Sequence, residues 1–423
     1  MGNIQRARAK LGRFLRSFTE MSKNLQILCL ANIVSGFGSG LLGGGLFVIF
    51  LRSLGIEMIE LGVMGSVIAG LNWILRPFAG RISDLYGRKK LILIYSFGSL
   101  ISPVLAFVAP HWTWLVPGWI FGSLLGIISG PAYQAFTGDA TGAKSRQTAL
   151  ATLDTLNAIP SLISPTVGGI LADFWGIRPL FILELFSGAA SAFIIFRYIE
   201  DTIPSREPHK AQAKKTWQEK IHDHVKFIEN GLRLISKQGG RNLFAVIIIG
   251  CLWDIEAPAW DYLSIYFREQ LKIPYWFLGL ITSIYTLSYM ITQIPIGKIA
   301  DKHSRKPFIL LEAVHATCVL SIVFIPNYYW LMPIYAIRAI SGMASGNAVV
   351  ALMYDVIPPE VRGTLLGVIY GPIRSSTKVL GPMVSSYVWT QFGGLIVIYM
   401  ISAIKYAKGM GGLIVQEEGL KRY

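Results

Sequence analysis

The stretch Gly-Arg-Ile-Ser-Asp-Leu-Tyr-Gly-Arg-Lys-Lys at residues 80–90 decides the fold, because one long apolar segment precedes it and another follows it. A related stretch, Gly-Lys-Ile-Ala-Asp-Lys-His-Ser-Arg-Lys-Pro, occupies residues 297–307, and its Asp301 lies 217 residues after Asp84. A charged turn between apolar segments is common, but two copies in matching positions indicate a duplicated membrane protein. We therefore predict an all-α membrane protein made of two related halves.

The displacement of 217 residues recurs at other positions in the chain. It relates the following pairs: Leu54 and Leu271, Gly62 and Gly279, Ser66 and Ser283, Gly80 and Gly297, Pro165 and Pro382. After a one-residue gap, a displacement of 216 relates Asp139 to Asp355 and Arg146 to Arg362. Because both copies read in the same direction, we predict a parallel repeat in which each half contains an even number of spans.

The composition places this repeat in a bilayer. The 423 residues are 53% hydrophobic and 15% charged, with a mean hydropathy of +0.51. The net charge of +15 is confined mainly to loops, which indicates membrane topology and argues against nucleic-acid binding. Most Lys and Arg fall on one side if both termini are cytoplasmic, so we predict that orientation. The three cysteines have no metal-ligand spacing and predict neither a disulfide framework nor a metal site.

Apolar segments of about 20 residues predict twelve membrane-spanning helices. They lie near 27–50, 60–79, 91–109, 113–136, 148–172, 179–199, 242–266, 276–296, 308–326, 330–356, 363–389 and 394–414. The last span is the weakest, because Lys405 and Lys408 interrupt it.

Four regions follow from these spans: a basic cytoplasmic segment at 1–26, a six-helix bundle at 27–199, a cytoplasmic linker at 200–240, and a second six-helix bundle with a short tail at 241–423. Within the linker, Trp217, Ile221, Val225, Ile228, Leu232 and Ile235 recur at spacings of three and four. This pattern predicts an amphipathic helix on the membrane surface, with a partly ordered tether as the alternative.

At this point the chain resembles the major facilitator superfamily of secondary transporters along nearly its whole length. Gly80, Asp84, Gly87, Arg88 and Lys89 are similar to the family's loop motif between helices two and three. The resemblance implies that Asp84, Arg88 and Asp139 form a conformational latch on the cytoplasmic face. It implies an echo of that latch in the second half, at Gly297, Asp301, Arg305 and Asp355, although Ser304 replaces the motif's second glycine there.

Helix five carries Ser-Pro-Thr-Val-Gly-Gly at 164–169, which is similar to a signature of the family's proton-coupled exporters. The match is partial, because Ser164 replaces a glycine. We expect Pro165, Gly168 and Gly169 to bend the helix and to favour export. The alternative is that these residues only bend and pack a membrane helix.

Ionisable residues inside the predicted spans are the candidate substrate and proton-coupling residues, because a charge at membrane depth is costly. They are Asp254, Glu256, Arg338, Arg374 and Lys378. Two interpretations stay open: permanent ion pairs that act as scaffold, or carboxylates that exchange partners as a proton binds. Pro258 is expected to kink helix seven. Glu312 and His315 lie in a helix that the resemblance places at the periphery, so we expect a structural role for them. Several aromatic residues are candidates for a pocket: Trp253, Trp260, Tyr262, Tyr285 and Tyr289.

The resemblance implies a secondary active transporter of a small organic solute by alternating access, with proton-coupled efflux favoured. Uptake of an organic anion or sugar-like solute by symport or uniport is the alternative, and a transport-dead sensor or scaffold is the alternative of another class. The partners implied are a small molecule, protons and the lipid bilayer, and we expect a monomer in the plasma membrane. The absence of a phosphate-binding loop or nucleophile motif predicts no enzyme, and we expect no cofactor, metal or nucleic acid.

Overall fold

A computed structural model of the chain describes residues 18–19, 21–141, 146–201, 217–238, 240–302, 305–358 and 360–415. All regular structure within these ranges is helical, which confirms the predicted all-α class. Most of the predicted basic N-terminal segment, the first part of the linker and the end of the tail lie outside the described residues.

The helices follow the chain in this order: α1 Lys23–Gly40, α2 Leu46–Ser53, α3 Met58–Tyr86, α4 Arg88–Gly98, α5 Ile101–Val108, α6 Val116–Ala140, α7 Arg146–Trp175, α8 Leu180–Tyr198, α9 Trp217–Gln238, α10 Arg241–Glu256, α11 Ala259–Glu269, α12 Tyr275–Lys302, α13 Arg305–Ser321, α14 Leu331–Val356, α15 Arg362–Val368, α16 Arg374–Phe392 and α17 Gly394–Ile414.

Each of the twelve predicted spans falls on helical chain. Within the described ranges, seven helical segments are long and apolar enough to cross a membrane: Met58–Arg76, Arg88–Val108, Trp112–Ala140, Thr152–Trp175, Leu180–Tyr198, Arg241–Glu269 and Tyr328–Val356. Phe308–Phe324 is a shorter apolar helix. The last predicted span corresponds to α17, which continues through both Lys405 and Lys408. The expectation that these lysines interrupt the helix is therefore wrong.

Proline and glycine divide two of the predicted spans at defined places. Helix α10 ends at Glu256 and α11 begins at Ala259, so the break predicted at Pro258 is present. Between α15 and α16, residues Ile369–Ile373 form a π-helical turn in which Gly371 has non-helical angles, φ −77° and ψ −106°. Pro372 follows directly, and its missing N–H group cannot complete a helical hydrogen bond. Both breaks lie close to charged residues of the site.

The residues fall into two compact units. The first consists of Met1–Phe50, Ile74–Lys210 and Tyr275–Ser283. Within it α1 packs against α7 and α8 around a core that includes Leu25, Leu28, Phe136, Leu153 and Ile195. The Asp173 carboxylate accepts hydrogen bonds from the first two backbone N–H groups of α12, at 3.0 Å and 2.8 Å. The first turns of α12 thereby belong to this unit.

The second unit consists of Leu51–Trp73, Ala211–Pro274 and Ile284–Tyr423. Helix α10 packs against α16 and α17, and α13 packs against α14 and α17. The first part of α3 joins this unit, where Ser66 Oγ donates to the backbone carbonyl of Val379 at 2.6 Å. The two units divide α3 and α12 and do not follow the predicted boundaries of the sequence halves, which stay a prediction.

Helix α9 lies where the linker sequence predicts an amphipathic helix, and it packs on α15 within the second unit. Ile235 is buried in the core beside Leu365 and Val368. Gly231 allows the close approach, because a side chain at that position would overlap Val368. Leu232 on the same helix is exposed. One side of α9 is therefore anchored, and its placement on a membrane surface stays a prediction.

Candidate functional site

Asp254 and Arg374 form a two-point ion pair between α10 and α16. The Arg374 Nε donates to Asp254 Oδ2 at 2.7 Å, and Nη2 donates to Oδ1 at 2.9 Å. Such parallel bonds are the strongest form of carboxylate–guanidinium contact. Both oxygens of Asp254 have partners, and the carboxylate is buried. The scaffold interpretation expects such a pair, but whether the pair is permanent stays a prediction.

Glu256 contacts different residues from Asp254, because side chains two positions apart on a helix face different sides. Its Oε1 accepts hydrogen bonds from Lys405 Nζ at 2.8 Å and from Lys408 Nζ at 2.9 Å. Glu312 of α13 lies in the same group, with its Oε1 3.4 Å from Lys408 Nζ. Glu256, Glu312, Lys405 and Lys408 form what we call the buried tetrad. Their side chains are 0–3% exposed, so the four formal charges balance away from solvent.

One oxygen of each tetrad glutamate lacks a hydrogen bond. Glu312 Oε1 accepts from Ser345, but Glu312 Oε2 and Glu256 Oε2 have no hydrogen-bond partner. Lys405 Nζ lies 4.0 Å from Glu312 Oε2, which is too far for a hydrogen bond. A buried carboxylate oxygen without a donor is a position at which a proton can bind without displacing an existing hydrogen bond. The tetrad therefore combines strong pairing with two open acceptor atoms.

His315 lies one helical turn after Glu312 on α13. It is 5% exposed, and neither of its ring nitrogens has a hydrogen-bond partner. Its ring packs beside Trp260, with 5.6 Å between ring centroids. A buried polar ring without partners is uncommon in folded proteins and marks a position that needs an explanation.

Arg338 of α14 is surrounded by aromatic rings. Its guanidinium carbon lies 3.6 Å from the ring centroid of Trp260, 4.7 Å from that of Tyr335 and 5.0 Å from that of Tyr285. We call these four residues the Arg338 cage. Within the described part of the chain, Arg338 forms no ion pair with a carboxylate, and its Nε has no hydrogen-bond partner. The structure does not join it to Asp254 or Glu256.

Lys378 of α16 is exposed, and no described carboxylate forms an ion pair with it. Of the other aromatic candidates, Trp253 packs against Lys408, with 4.5 Å between its ring centroid and the lysine Nζ. Tyr262 is buried and donates to the backbone carbonyl of Pro382 at 3.3 Å. Tyr289 is exposed. The predicted aromatic group is thus divided, and Trp260 and Tyr285 are its members around Arg338.

In the first unit, the loop motif brings Arg88 and Asp139 together in an ion pair. Arg88 Nη1 also donates to the backbone carbonyl of Ala135 at 2.9 Å. Gly87 precedes α4 with a φ of +84°, a conformation that glycine adopts without strain.

Other motif positions are placed by their backbones alone. Gly80 and Asp84 lie on α3, Gly297 and Asp301 lie on α12, and Arg305 begins α13, but the side chains at these positions lie outside the described structure. Asp355 is near the end of α14. The latch role of this set stays a prediction.

The helix-five signature lies at close contacts between backbones. Helix α7 is continuous through Pro165. A side chain at Gly168 would overlap the backbone of Leu41, and one at Gly169 would overlap the backbone of Tyr275. These positions require glycine for packing, whatever further role they have in transport.

The chain also matches a known protein family. A family model described as Major Facilitator Superfamily matches residues 28–276 and 243–407, which together span most of the chain. The chain belongs to the Major Facilitator Superfamily. This confirms the resemblance and identifies a membrane transporter family.

Two superfamily relatives match almost end to end. The chain is 26% identical over 396 residues to the multidrug resistance protein MdtG of Proteus mirabilis strain HI4320, covering 91% of this chain and 93% of the relative. It is 22% identical over 402 residues to the class H tetracycline resistance protein of Pasteurella multocida, covering 92% and 94%. Among solved structures, a POT family transporter in complex with 5-aminolevulinic acid gives a TM-score of 0.70 at 12% identity, covering 96% of this chain and all of that one. This last likeness shows the superfamily fold alone.

In this superfamily member, sequence reasoning named one residue of the buried tetrad, Glu256, as a candidate site residue and missed the other three. It treated Lys405 and Lys408 as interruptions and expected Glu312 and His315 to be structural residues of a peripheral helix. In the structure, Glu256 and Glu312 compensate the two lysines, which is why α17 accommodates them. The sequence did contain one signal, which was the number of ionisable residues in the apolar spans. Several such residues within a membrane must find partners inside the protein.

Proposed function

We propose that the chain is a proton-coupled exporter of small organic compounds that works by alternating access. We place it as a monomer in the plasma membrane, with both termini in the cytoplasm. The printed names of its relatives, a multidrug resistance protein and a tetracycline resistance protein, support export of drug-like compounds. The single observation that carries proton coupling is the buried tetrad with its two open carboxylate oxygens.

A proton on Glu256 changes the contacts of three helices at once. Oε1 of Glu256 holds both Lys405 and Lys408, so α10 and α17 are joined through one oxygen. Neutralising Glu256 weakens both bonds and leaves the lysines to the remaining carboxylate, Glu312 of α13. Protonation of one group thus favours a different packing of α10, α13 and α17, which is the exchange of partners that coupling requires.

The energy needed to break a buried ion pair is comparable to the energy that a proton gradient supplies. Breaking a buried ion pair costs about 3–5 kcal/mol. A proton gradient supplies about 1.4 kcal/mol for each pH unit and about 2.3 kcal/mol for each 100 mV of membrane potential. One pH unit and 100 mV together supply about 3.7 kcal/mol, which lies within the range of energies needed to change the pairing of the tetrad. The Asp254–Arg374 pair, in which both oxygens are satisfied, suits a scaffold.

Proteoliposomes that contain an internal pH dye test this proposal. The probes are a lipophilic cation, a sugar and an aromatic carboxylate, each added outside. Antiport makes the lumen alkaline as the compound enters, symport makes it acidic, and protein-free liposomes correct for passive entry of the acid. We expect alkalinisation with at least one probe, and its loss in Glu256→Gln and Glu312→Gln.

Glu229→Gln is the matched control, because Glu229 is an exposed carboxylate on α9 that pairs with Arg233. It should behave as wild type. Compound uptake without any proton movement, unchanged in both tetrad variants, would show that the tetrad is scaffold and that coupling to protons is wrong.

Uptake of an organic anion is the second candidate, and the Arg338 cage favours it. An arginine held by aromatic rings and not by a carboxylate suits a negatively charged solute. Luminal acidification on addition of the aromatic carboxylate alone would select this function in place of export.

A further inference from the structure

The ionisable groups in the spans of the second unit are unevenly paired. Arg374 has Asp254, while Lys405 and Lys408 have Glu256 and Glu312. Arg338 has no carboxylate among the described residues, although it lies within α14. An uncompensated charge at membrane depth is costly, and a bound anion offsets that cost.

The aromatic contacts define how Arg338 is presented. The guanidinium carbon of Arg338 lies over the Trp260 ring, 3.6 Å from its centroid, which is a close cation–π contact. A guanidinium in such a contact can still form two parallel bonds to a carboxylate through its N–H groups. Tyr335 and Tyr285 bring further ring surface within 5.0 Å. Among the described residues no carboxylate pairs with this guanidinium, and its Nε has no hydrogen-bond partner.

The surroundings select against cations. Lys405 Nζ lies 5.4 Å from the Trp260 centroid, so a second positive charge is close to the cage. The tetrad glutamates near it are already engaged by lysines. A positively charged ligand at Arg338 would meet the like charges of Arg338 and Lys405, whereas an anion would find its counter-charge.

The rings add a preference for the body of the ligand. Trp260 comes from α11, Tyr285 from α12 and Tyr335 from α14, so aromatic surface reaches Arg338 from three helices. Aromatic pairs gain stability beyond the area they bury, and a flat ligand ring can use this surface. We propose that the Arg338 cage is a binding site for small aromatic carboxylates. The inference rests on the proposed function, because it names a class of compound that the transporter carries.

Equilibrium binding to the purified full-length protein in detergent tests this site, with intrinsic tryptophan fluorescence and calorimetry as readouts. The probes vary one property at a time: 2-naphthoate, its neutral amide 2-naphthamide, and the non-aromatic cyclohexanecarboxylate. We expect 2-naphthoate to bind, and 2-naphthamide to bind about tenfold to a hundredfold more weakly, because the charged hydrogen bonds are lost. Cyclohexanecarboxylate should also bind more weakly than 2-naphthoate.

Three variants locate the site. Arg338→Gln should abolish the preference for 2-naphthoate over its amide. Arg338→Lys keeps the charge but not the planar fork, so it should weaken 2-naphthoate binding about tenfold. Lys226→Gln, which removes an exposed lysine of α9, should bind as wild type.

Equal affinity of the wild type for 2-naphthoate and 2-naphthamide would overturn the inference without any variant. A preference for 2-naphthoate over its amide that is retained in Arg338→Gln would move the site elsewhere and overturn the inference as well. The proposed function fails separately: a protein that binds 2-naphthoate but moves no compound against a proton gradient contradicts export and leaves the cage intact. A protein that exports a cation but does not bind 2-naphthoate contradicts the cage inference and leaves the proposed export intact.

Discussion

Lys405 and Glu256 are 149 residues apart in the chain, and they form an ion pair in which Nζ lies 2.8 Å from Oε1. Lys408 donates to the same oxygen at 2.9 Å. One carboxylate oxygen therefore joins two turns of α17 to the end of α10, immediately before the break at Pro258. This shared acceptor makes the tetrad sensitive to the charge of a single residue.

Removing one lysine of the tetrad should be strongly destabilising. In Lys408→Met both glutamates lose a close cation while buried, so we expect the free energy of unfolding to fall by about 3–5 kcal/mol. Denaturant unfolding in detergent measures it. Lys378→Met on α16 is the control, because Lys378 is exposed, and its effect should stay within about 0.5 kcal/mol.

The tetrad should also show energetic coupling between its members. Adding Glu312→Gln to Lys408→Met removes one charge of each sign, so the double variant should lose less stability than the two single losses predict together. Strict additivity of the three measured values would contradict a shared charge network.

Asp254 and Glu256 should differ in function although they are two residues apart. Asp254→Asn breaks the two-point pair with Arg374 and should lower stability by about 3–5 kcal/mol, yet the folded fraction should still move protons with substrate. Glu256→Gln should abolish that movement. Dye-monitored proton flux per folded protein separates the two, and the opposite assignment would identify Asp254 as the proton carrier.

Gly168 should not tolerate even a methyl group. An alanine side chain there would overlap the backbone of Leu41, which cannot move aside as a flexible side chain can. Gly168→Ala should therefore give little monodisperse protein in size-exclusion chromatography. Gly122→Ala is the comparison, since a side chain at Gly122 meets no atom within 4 Å. Equal yields of the two variants would rule out the close helix contact.

The anchoring of α9 depends on Ile235, which is 6% exposed, and not on Leu232, which is 47% exposed. Ile235→Ala should cost about 2–5 kcal/mol and accelerate amide hydrogen exchange in α9 by about tenfold or more. Leu232→Ala should leave exchange unchanged. Similar exchange in both variants would mean that α9 is not held by this face.

Local patterns were sufficient for the elements and for the pairing of Arg88 with Asp139. Apolar length located the helical chain, and the resemblance of the loop motif to that of the family implied that Arg88 lies near Asp139, with which it forms an ion pair. Pro258 marked the break between α10 and α11, because a proline removes a helical hydrogen bond at its own position. Each of these inferences depends on residues that are close in sequence or on a repeated motif.

The site needed information that local patterns do not contain. Whether Arg374, Arg338 or Lys378 pairs with Asp254 depends on how α10, α14 and α16 are rotated about their axes, and only the first does so. Lys405 and Lys408 resembled interruptions because the hydropathy value of a charged residue takes no account of an ion-pair partner on another helix. Glu312 lies on another helix, 93 residues before Lys405, and no spacing within α17 indicates it.

The charge balance of the tetrad has an electrical consequence. Two glutamates and two lysines sum to zero, so moving the group as a whole along the membrane field does no electrical work. Each proton that the tetrad takes up adds one charge, and carrying that charge across the full field is worth about 2.3 kcal/mol for each 100 mV. Arg338, for which the described residues supply no carboxylate partner, brings one further charge, and an anion in its cage would cancel it. A carrier with the cage occupied should therefore respond less to voltage than an empty one.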